Sequence, residues 1–528
     1  MKSSSAKLYP VGGTTKRTAL GSFMNILGYL VTVFQQIVFI PIFLWAWDKA
    51  LYGEWLILSS LLAYLSTSHF GMGTYIRNRL TQAYAKGAHK EYARILKSAF
   101  GIFSSIFAVF FIILIALAIF FPFFELFDIH TAGEISVRIT VFILGLYILL
   151  GVLSGLVGSL YTTIGEYPRQ AAIRNIRELI LMLFVVIVLV LGGEFISVAL
   201  VYLLTLIGIT LFAGLDIQRR HPEIRKSLGM VSIDWRLAKS FLKPGFVFLL
   251  IPFSRMIYVQ GSVILIGAVF GASKVVVFSV HRTLSHIAKR FVSVITPAIL
   301  PELTAGEIRG EYQKLRRIHS LFMKFILFVS ITATIFLFFG GEDILRFWTR
   351  GKVALDPSLW IFLLILIPIT AIWESNAVFQ VAINKYNKYA ASRITSIVIG
   401  LLLALVLIKP MGLAGVALGF LIGEVGINFW FVPLNTLRVI RARKRDFVFL
   451  VVKGAPLFLL QLLAGWILSS AITNLWFMII GLGITVTILG MLYTYFLWFD
   501  EKEKRLMQTL LSKSIQYLKT KLRRGKAN

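Results

Sequence analysis

The sequence predicts an all-α, polytopic membrane protein with about 14 transmembrane helices. The chain has 528 residues, of which 58% are hydrophobic and only 15% are charged, and its mean hydropathy is +0.83. This composition is too apolar for a protein with a water-exposed surface. Apolar runs of roughly 20 residues, the length that lets a helix cross about 30 Å of hydrocarbon, recur from residue 20 to residue 498.

We place the spans on these apolar runs, which leave no long hydrophilic segment for a soluble domain. In chain order, the predicted spans cover residues 20–45, 52–76, 98–121, 137–163, 172–192, 195–215, 244–269, 275–299, 321–340, 359–383, 391–408, 412–436, 447–469 and 475–498.

Two pairs of similar basic segments indicate an internal repeat. "KEYARILKSAF" (90–100) resembles "GEYQKLRRIHSLF" (310–322), and "GEYPRQAAIR" (165–174) resembles "NKYNKYAASR" (384–393) at nearly the same offset. Both repeat units begin on the same side of the membrane, so they are parallel repeats related by an axis along the membrane normal. The repeat predicts two six-helix lobes followed by two extra C-terminal helices.

The repeat and the loop lengths set the predicted domain boundaries. The last segment combines a leucine and methionine stripe with many cations, as in a helix that lies on an anionic inner leaflet, and a disordered basic tail is the alternative. The predicted parts are an N-terminal lobe (1–215), a cytoplasmic interlobe loop (216–243), a C-terminal lobe (244–436), spans 13 and 14 (437–498) and a basic amphipathic cytoplasmic tail (499–528).

The net charge of +30 is interpreted as a topology signal. Most of the 54 Lys and Arg residues fall in the connections that are cytoplasmic if the chain begins inside, so both termini are predicted to be cytoplasmic. The same cations attract anionic membrane lipids. A nucleic-acid partner is therefore not needed to explain the charge.

The sequence offers no catalytic or metal site. It has no cysteine, no HExxH motif and no phosphate-binding GxxxxGK[ST] loop. We therefore predict that the protein is not an enzyme and uses no cofactor. If the protein requires energy, it is expected to come from an ion gradient, H⁺ or Na⁺, or from the membrane potential.

The predicted span "VVVFSVHRTLSHIAKRFVSVITPAI" (275–299) carries an unusual row of cations. At 100° per residue, Arg282, His286, Lys289 and Arg290 fall on one helix face. A charge at mid-bilayer costs on the order of 2.5 to 3.5 kcal/mol, so this face should look into protein or water.

The neighbouring spans add further polar groups. Arg255 lies in span 7, and Asn25, Tyr29 and Gln36 share one face of span 1, its partner in the repeat. This pattern predicts a polar cavity between the lobes with surplus positive charge, which suits a phosphate or pyrophosphate group.

Two intramembrane carboxylates, Glu374 and Glu424, are candidate ion-coupling residues. The alternative interpretation is structural: the arginines pair with these glutamates, while Lys289 and Arg290 reach the inner interface. His69, near the inner end of span 2, is interpreted as structural, with a proton carrier as the alternative.

Three segments resemble a known family. They are "YGEWLILSSLLAYLSTSHFGMGTYIRNRLTQAYAKGAHKEYARIL" (52–96), "VILIGAVFGASKVVVFSVHRTL" (263–284) and "ILPELTAGEIRGEYQKL" (299–315). Together with the span count and the repeat, they resemble the polysaccharide flippases of the MOP superfamily, the O-antigen (Wzx-type) transporters. The resemblance implies alternating access and export of an undecaprenyl-pyrophosphate-linked oligosaccharide across the bacterial inner membrane. Other polysaccharide-assembly membrane proteins are possible partners.

Four other functions remain open at this stage. A peptidoglycan lipid-precursor flippase also needs a cationic cavity. A small-molecule exporter of the same superfamily, if it handles organic cations, would be better served by an acidic one. From other classes, a membrane glycan polymerase or ligase requires a large outer loop, whereas a non-transporting assembly scaffold requires no cavity chemistry.

Overall fold

The computed structural model describes residues 11–222, 224, 232–383, 385, 387–472, 474–501 and 503–505. Within these residues the regular elements are helices and there is no β-strand, which confirms the predicted all-α class. Most of the predicted amphipathic tail, residues 506–528, lies outside the described residues.

The helices are numbered in chain order, and their bounds are as follows. They are α1 (Val11–Ala46), α2 (Lys49–Ala63), α3 (Met72–Ala85), α4 (His89–Phe120), α5 (Phe123–Phe127), α6 (Glu134–Thr163), α7 (Tyr167–Val190), α8 (Phe195–Arg220), α9 (Trp235–Ser240), α10 (Leu242–Met256), α11 (Ser262–Phe270), α12 (Ala272–Ile308), α13 (Tyr312–Trp348), α14 (Pro357–Ala382), α15 (Asn387–Gly423), α16 (Phe429–Val439), α17 (Lys444–Val452), α18 (Gly454–Ala471) and α19 (Leu475–Tyr493).

The helices have the lengths and surfaces of membrane spans. Ten helical stretches in the described part of the chain are long and apolar enough to cross a membrane. Large apolar side chains on them are exposed, including Leu30, Ile112 and Ile480 at 61, 67 and 57%. A soluble fold would bury most such side chains, whereas lipid solvates them. The chain is therefore a multi-pass membrane protein.

Three predicted spans are not among these ten stretches. The span at 172–192 forms the continuous helix α7 but contains Arg174, Arg177 and Glu178, and the span at 275–299 forms part of α12. The span at 52–76 is broken between α2 and α3, where Phe70 and Gly71 have φ angles of 46° and 70°. A left-handed backbone cannot continue an α-helix, so the chain turns there.

Two helices are interrupted by π-helical turns. Residues Ile257–Gly261 form such a turn between α10 and α11, and residues Glu424–Asn428 form another between α15 and α16. A π turn replaces the regular hydrogen bonds of an α-helix and often marks a functional position. Within α15, Gly412 has a non-helical conformation that separates the predicted spans 391–408 and 412–436.

The chain forms two compact units, which we describe separately. The first consists of Met1–Leu284, Leu345–Leu359 and Ala390–Gly423. In this unit α1 packs on α7, and α6 packs on both α4 and α8. Its interior includes Met72, Ile76 and Leu80, which are fully buried.

The second unit consists of Ser285–Ile344, Trp360–Tyr389 and Glu424–Asn528. Its core is a cluster of apolar side chains that includes residues of α13, α14 and α19, in which Met323, Ile326 and Leu482 are fully buried. In the same unit, α18 packs against α19. The lobe boundaries predicted from the repeat stay a prediction.

Candidate functional site

Arg282 is buried in the first unit, where it binds the π turn of the preceding helix. Its Nη1 donates hydrogen bonds of 2.7 Å to the Val259 carbonyl and to Oγ of Ser262, and its guanidinium lies 5.4 Å from the Phe278 ring centre. The Val259 carbonyl lies within the π turn and also accepts a 3.1 Å hydrogen bond from Oγ of Ser262. Arg282 therefore joins α12 to the segment between α10 and α11.

The other predicted cations do not share the buried, hydrogen-bonded setting of Arg282 in the described structure. Arg255 is exposed, and it has no ion pair or hydrogen bond among the described residues. His286 is half-buried in the second unit. The side chains of Lys289 and Arg290 lie outside the described part of the structure. Whether these cations line one cavity stays a prediction.

The predicted polar face of span 1 makes contacts with α7 inside the first unit. Oδ1 of Asn25 accepts hydrogen bonds from the Tyr167 hydroxyl at 2.6 Å and from Arg174 at 3.2 Å. Tyr29 is 36% exposed, and Gln36 is half-buried and engaged in an interaction. Asn25 therefore takes part in helix packing, and the role of these three residues as cavity lining stays a prediction.

The two candidate coupling carboxylates lie in the second unit. Glu424, only 2% exposed, begins the π turn and accepts a 2.8 Å hydrogen bond from Nδ2 of Asn428. Oδ1 of Asn428 is buried and has no hydrogen-bond partner among the described residues. Glu374 is half-buried on α14.

A buried polar network runs beside Glu374 on α14. Gln380 donates to Thr436 and accepts from Asn435, while Oδ1 of Asn376 accepts from Nε2 of His319 at 2.8 Å. Because an amide oxygen only accepts, this contact requires the tautomer of His319 that carries its proton on Nε2. The network satisfies these buried polar groups and fixes α14 against its neighbours.

The first unit also contains a cavity of about 420 Å³. Its charged and titratable lining residues are His69, Arg77 and Arg177, and Tyr147 adds a phenol. These residues come from the turn before α3 and from α3, α7 and α6, respectively. Arg177 lies within the predicted span 172–192, and Arg77 lies one residue beyond the predicted span 52–76. We call this pocket the first-unit cavity.

The two arginines of the first-unit cavity have different surroundings. The guanidinium of Arg77 has no hydrogen-bond or ion-pair partner among the described residues. Arg177 donates from Nε and Nη2 to one carboxylate oxygen of Glu178, at 3.2 and 2.5 Å. The charge of Arg177 is therefore shared with Glu178, whereas that of Arg77 is not compensated among the described residues.

The sequence reasoning missed this cavity. Arg177 and Glu178 lie inside the predicted span 172–192, so their charge was a visible signal, whereas Arg77 lies one residue beyond the predicted span 52–76. Their juxtaposition depends on the packing of α3, α6 and α7, which periodicity within one helix does not reveal. His69, interpreted from sequence as structural, also lines the cavity.

No protein-family model and no curated protein matches this chain. Solved structures do resemble it. The lipid II flippase MurJ in an inward closed conformation gives a TM-score of 0.67 at 16% identity, covering 90% of this chain and 99% of that one. The MATE multidrug transporter DinF-BH, solved as a ligand complex, gives a TM-score of 0.58 at 16% identity, covering 84% of this chain and 100% of that one.

A third similar structure is an outward-facing multidrug resistance MATE family transporter of the MOP superfamily. Its TM-score is 0.56 at 14% identity, over 81% of this chain and 96% of that one. At such low identity these likenesses establish the fold alone. The chain has the fold of MOP-superfamily transporters, and its assignment to the polysaccharide flippases stays a prediction.

Proposed function

We propose that this protein is a flippase that moves an undecaprenyl-pyrophosphate-linked oligosaccharide, an O-antigen or other surface polysaccharide unit, across the bacterial inner membrane. The substrate's lipid would stay in the bilayer while its headgroup passes through the protein by alternating access. Both chain termini would be cytoplasmic, as the distribution of Lys and Arg predicts.

The observation that supports this proposal is unpaired positive charge in and next to the apolar helices: Arg255 lies in the apolar stretch Leu249–Phe270, and Arg77 lies on α3, one residue beyond the predicted span 52–76. Arg77 and Arg255 have no carboxylate partner among the described residues, and the carboxylate of Glu178 is already paired with Arg177. Unpaired cations in a membrane are costly, so a function that uses them is the simplest reason for their presence. A diphosphate headgroup supplies the complementary charge.

Energy for transport would come from a proton or sodium gradient or from the membrane potential. Glu424 is the stronger candidate for ion coupling because it is buried beside an amide oxygen, Oδ1 of Asn428, that lacks a partner among the described residues. Glu374 is the second candidate. Loss of dependence on the ion gradient in a Glu424→Gln variant, with Glu374→Gln as the parallel test, would support this part of the proposal.

The proposal is tested with the purified full-length chain in liposomes that carry a lipid-diphosphate oligosaccharide in one leaflet. We expect the headgroup to appear in the other leaflet only with protein present, and an Arg255→Ala variant to be slower by about tenfold. Lys388→Ala, which removes an exposed cation at the start of α15, is the matched control. Absence of movement under every imposed gradient or potential, with folded protein, would refute the proposal.

A flippase for a lipid precursor of peptidoglycan is the second candidate. The observation that favours it is the higher TM-score with the lipid II flippase, 0.67, than with the multidrug transporter, 0.58. A cation-lined cavity fits both lipid-linked substrates and suits organic cations poorly. The same liposomes, loaded with a peptide-bearing lipid diphosphate, decide between the two: faster movement of that lipid would favour the second candidate.

A further inference from the structure

The first-unit cavity has the dimensions of a binding site. Its volume of about 420 Å³ lies in the range of ligand pockets, roughly 300 to 1,000 Å³, and exceeds what one phosphate group occupies. Its lining comes from helices of a single unit, so the pocket does not depend on how the two units are arranged.

Two glycines keep one wall of the cavity open. Gly151 and Gly155 of α6 both line it, and a Cβ atom added at either position would have no other atom within 4 Å. Glycine costs a helix interior up to about 1 kcal/mol relative to alanine, so these positions sacrifice helix stability. In return, the two glycines leave open space in the cavity that the cations line.

The hydrogen-bonding groups around this space are mostly donors. The guanidinium of Arg77 is unpaired among the described residues, and Nη1 of Arg177 is not used in its contact with Glu178. The hydroxyls of Thr74 and Tyr147 have no hydrogen bond within the described structure. Guanidinium and hydroxyl donors around a net positive charge match the oxygens of an anionic group.

His69 adds one nitrogen to the cavity. Its Nδ1 lies 2.8 Å from the Ser66 carbonyl, which can only accept, so Nδ1 carries a proton and Nε2 is left for other contacts. In the neutral ring Nε2 is an acceptor, which suits a hydroxyl of a sugar or a protonated phosphate oxygen. Glu178 remains the one carboxylate in contact with the cavity's arginines in the described structure.

We infer that the first-unit cavity binds an oxyanion group, a phosphate, diphosphate or sugar carboxylate, with Arg77 as its principal ligand and Arg177 as the second. Arg77 is principal because its charge is uncompensated among the described residues, whereas that of Arg177 is shared with Glu178. As a site for the headgroup of a transported lipid, the inference rests on the proposed function. As a site for an oxyanion, it stands on the geometry of the cavity.

The test measures binding of two probes to the full-length protein in lipid nanodiscs. Inorganic pyrophosphate, followed by isothermal titration calorimetry, reports on a free anion, and a lipid-diphosphate saccharide embedded in the nanodisc reports on a headgroup. We expect Arg77→Gln to weaken binding of the recognised probe by at least about tenfold. Binding of the lipid probe alone identifies a lipid headgroup as the source of the anion, and binding of both identifies a general oxyanion site.

A second variant keeps the inference testable if removal of Arg77 disturbs folding. Gly155→Leu fills the cavity without meeting protein atoms at its Cβ, and we expect the same loss of binding, about tenfold or greater. Gly208→Leu on α8 is the matched control, since its Cβ also meets nothing within 4 Å and Gly208 does not line the cavity. Binding should be unchanged in this control.

The outcomes separate this inference from the proposed function. Absence of binding of either probe, or unchanged binding in both Arg77→Gln and Gly155→Leu, would overturn the oxyanion site. If both variants weaken oxyanion binding but the protein flips no lipid in liposomes, the oxyanion site would be supported and the proposed flippase function would be refuted. If both variants flip lipid at the wild-type rate, the flippase function would be supported, and the headgroup would not pass through this cavity.

Discussion

The ammonium group of Lys324 lies 2.6 Å from Oε2 of Glu503, and both side chains are buried, with 10 and 3% of their surfaces exposed. Glu503 also exchanges hydrogen bonds with Asp500: its Oε2 accepts from the Asp500 amide, and its own amide donates to Oδ1 of Asp500. This reciprocal capping begins a helix. The start of the segment predicted to be a cytoplasmic tail is thus fixed to α13.

The first prediction concerns this pair. Lys324→Met should lower the free energy of unfolding by about 3 to 5 kcal/mol, because it leaves the buried Glu503 carboxylate without its cation. Thermal unfolding in detergent checks this. The double variant Lys324→Met, Glu503→Leu should recover most of the loss, and Glu501→Gln, which alters the exposed pair with Lys504, should change little. A single variant as stable as the wild type would contradict the prediction.

The second prediction concerns Glu54 on α2, which is 1% exposed. Its Oε1 accepts from the amides of His130 and Thr131, and its Oε2 accepts from the amide of Ala132. In Glu54→Gln, an amide NH₂ would face one of these N–H groups. We therefore expect the free energy of unfolding to fall by about 1 to 3 kcal/mol.

Thermal unfolding and protease cleavage within residues 128–133 measure this effect. Cleavage should become faster because the carboxylate no longer holds the loop. Glu134→Gln, which affects only the exposed pair with Arg138, is the control. Equal cleavage rates in wild type and Glu54→Gln would show that the carboxylate does not anchor the loop.

The third prediction concerns Gly53, which lies against the backbone at the start of α12. A Cβ at this position would lie 2.0 Å from the carbonyl oxygen of Ala272. The backbone cannot move aside as a side chain does. Gly53→Ala should therefore lower the free energy of unfolding by about 1 to 3 kcal/mol or more and reduce the yield of folded protein. Gly214→Ala, where a Cβ meets nothing within 4 Å, should be neutral or stabilising. Equal yields would disprove the close approach.

The fourth prediction separates stability from transport at Arg282 and Arg255. Arg282→Ala removes the charged donor from the carbonyl of Val259 and from the hydroxyl oxygen of Ser262, and leaves only the 3.1 Å hydrogen bond that Ser262 donates to Val259. We therefore expect the free energy of unfolding to fall by about 1.5 to 3 kcal/mol and transport to be lost. Arg255→Ala removes an exposed side chain and should lower transport at an unchanged melting temperature.

Melting temperature and flipping rate, measured on the same preparations, show whether each arginine serves stability, transport or both. Arg282→Lys should recover part of the stability because one donor can still reach the π turn. If Arg282→Ala melts like the wild type, then the fold does not need Arg282, and its role would be to serve the substrate, as the sequence alone predicted.

Much of the fold followed from local features of the sequence. The apolar runs predicted the all-α membrane class. The first glycine of "FGMG", Gly71, lies where the second predicted span breaks, and its φ is 70°. The length of an apolar run is read directly along the chain, because the thickness of the bilayer sets it. The break itself was not predicted, since it depends on the left-handed conformation that Phe70 also adopts.

The candidate site was less predictable. The helix face that carries Arg282 was identified from periodicity, yet periodicity did not show that Arg282 binds the backbone of a neighbouring helix at Val259. In the same way, Arg177 was visible inside an apolar run, but nothing local placed it beside a cavity with Arg77 and His69.

The sequence by itself determined that this chain is a helical, multi-pass membrane protein with a surplus of cations in its spans, because hydropathy and charge are properties of each residue and its neighbours along the chain. Only the tertiary structure decided which cations are held by protein groups, as Arg282 is, and which, like Arg77, have no partner in the described structure. The reason is physical: the cost of a charge in a membrane depends on the groups within a few ångströms of it, and the packing of distant helices chooses those groups.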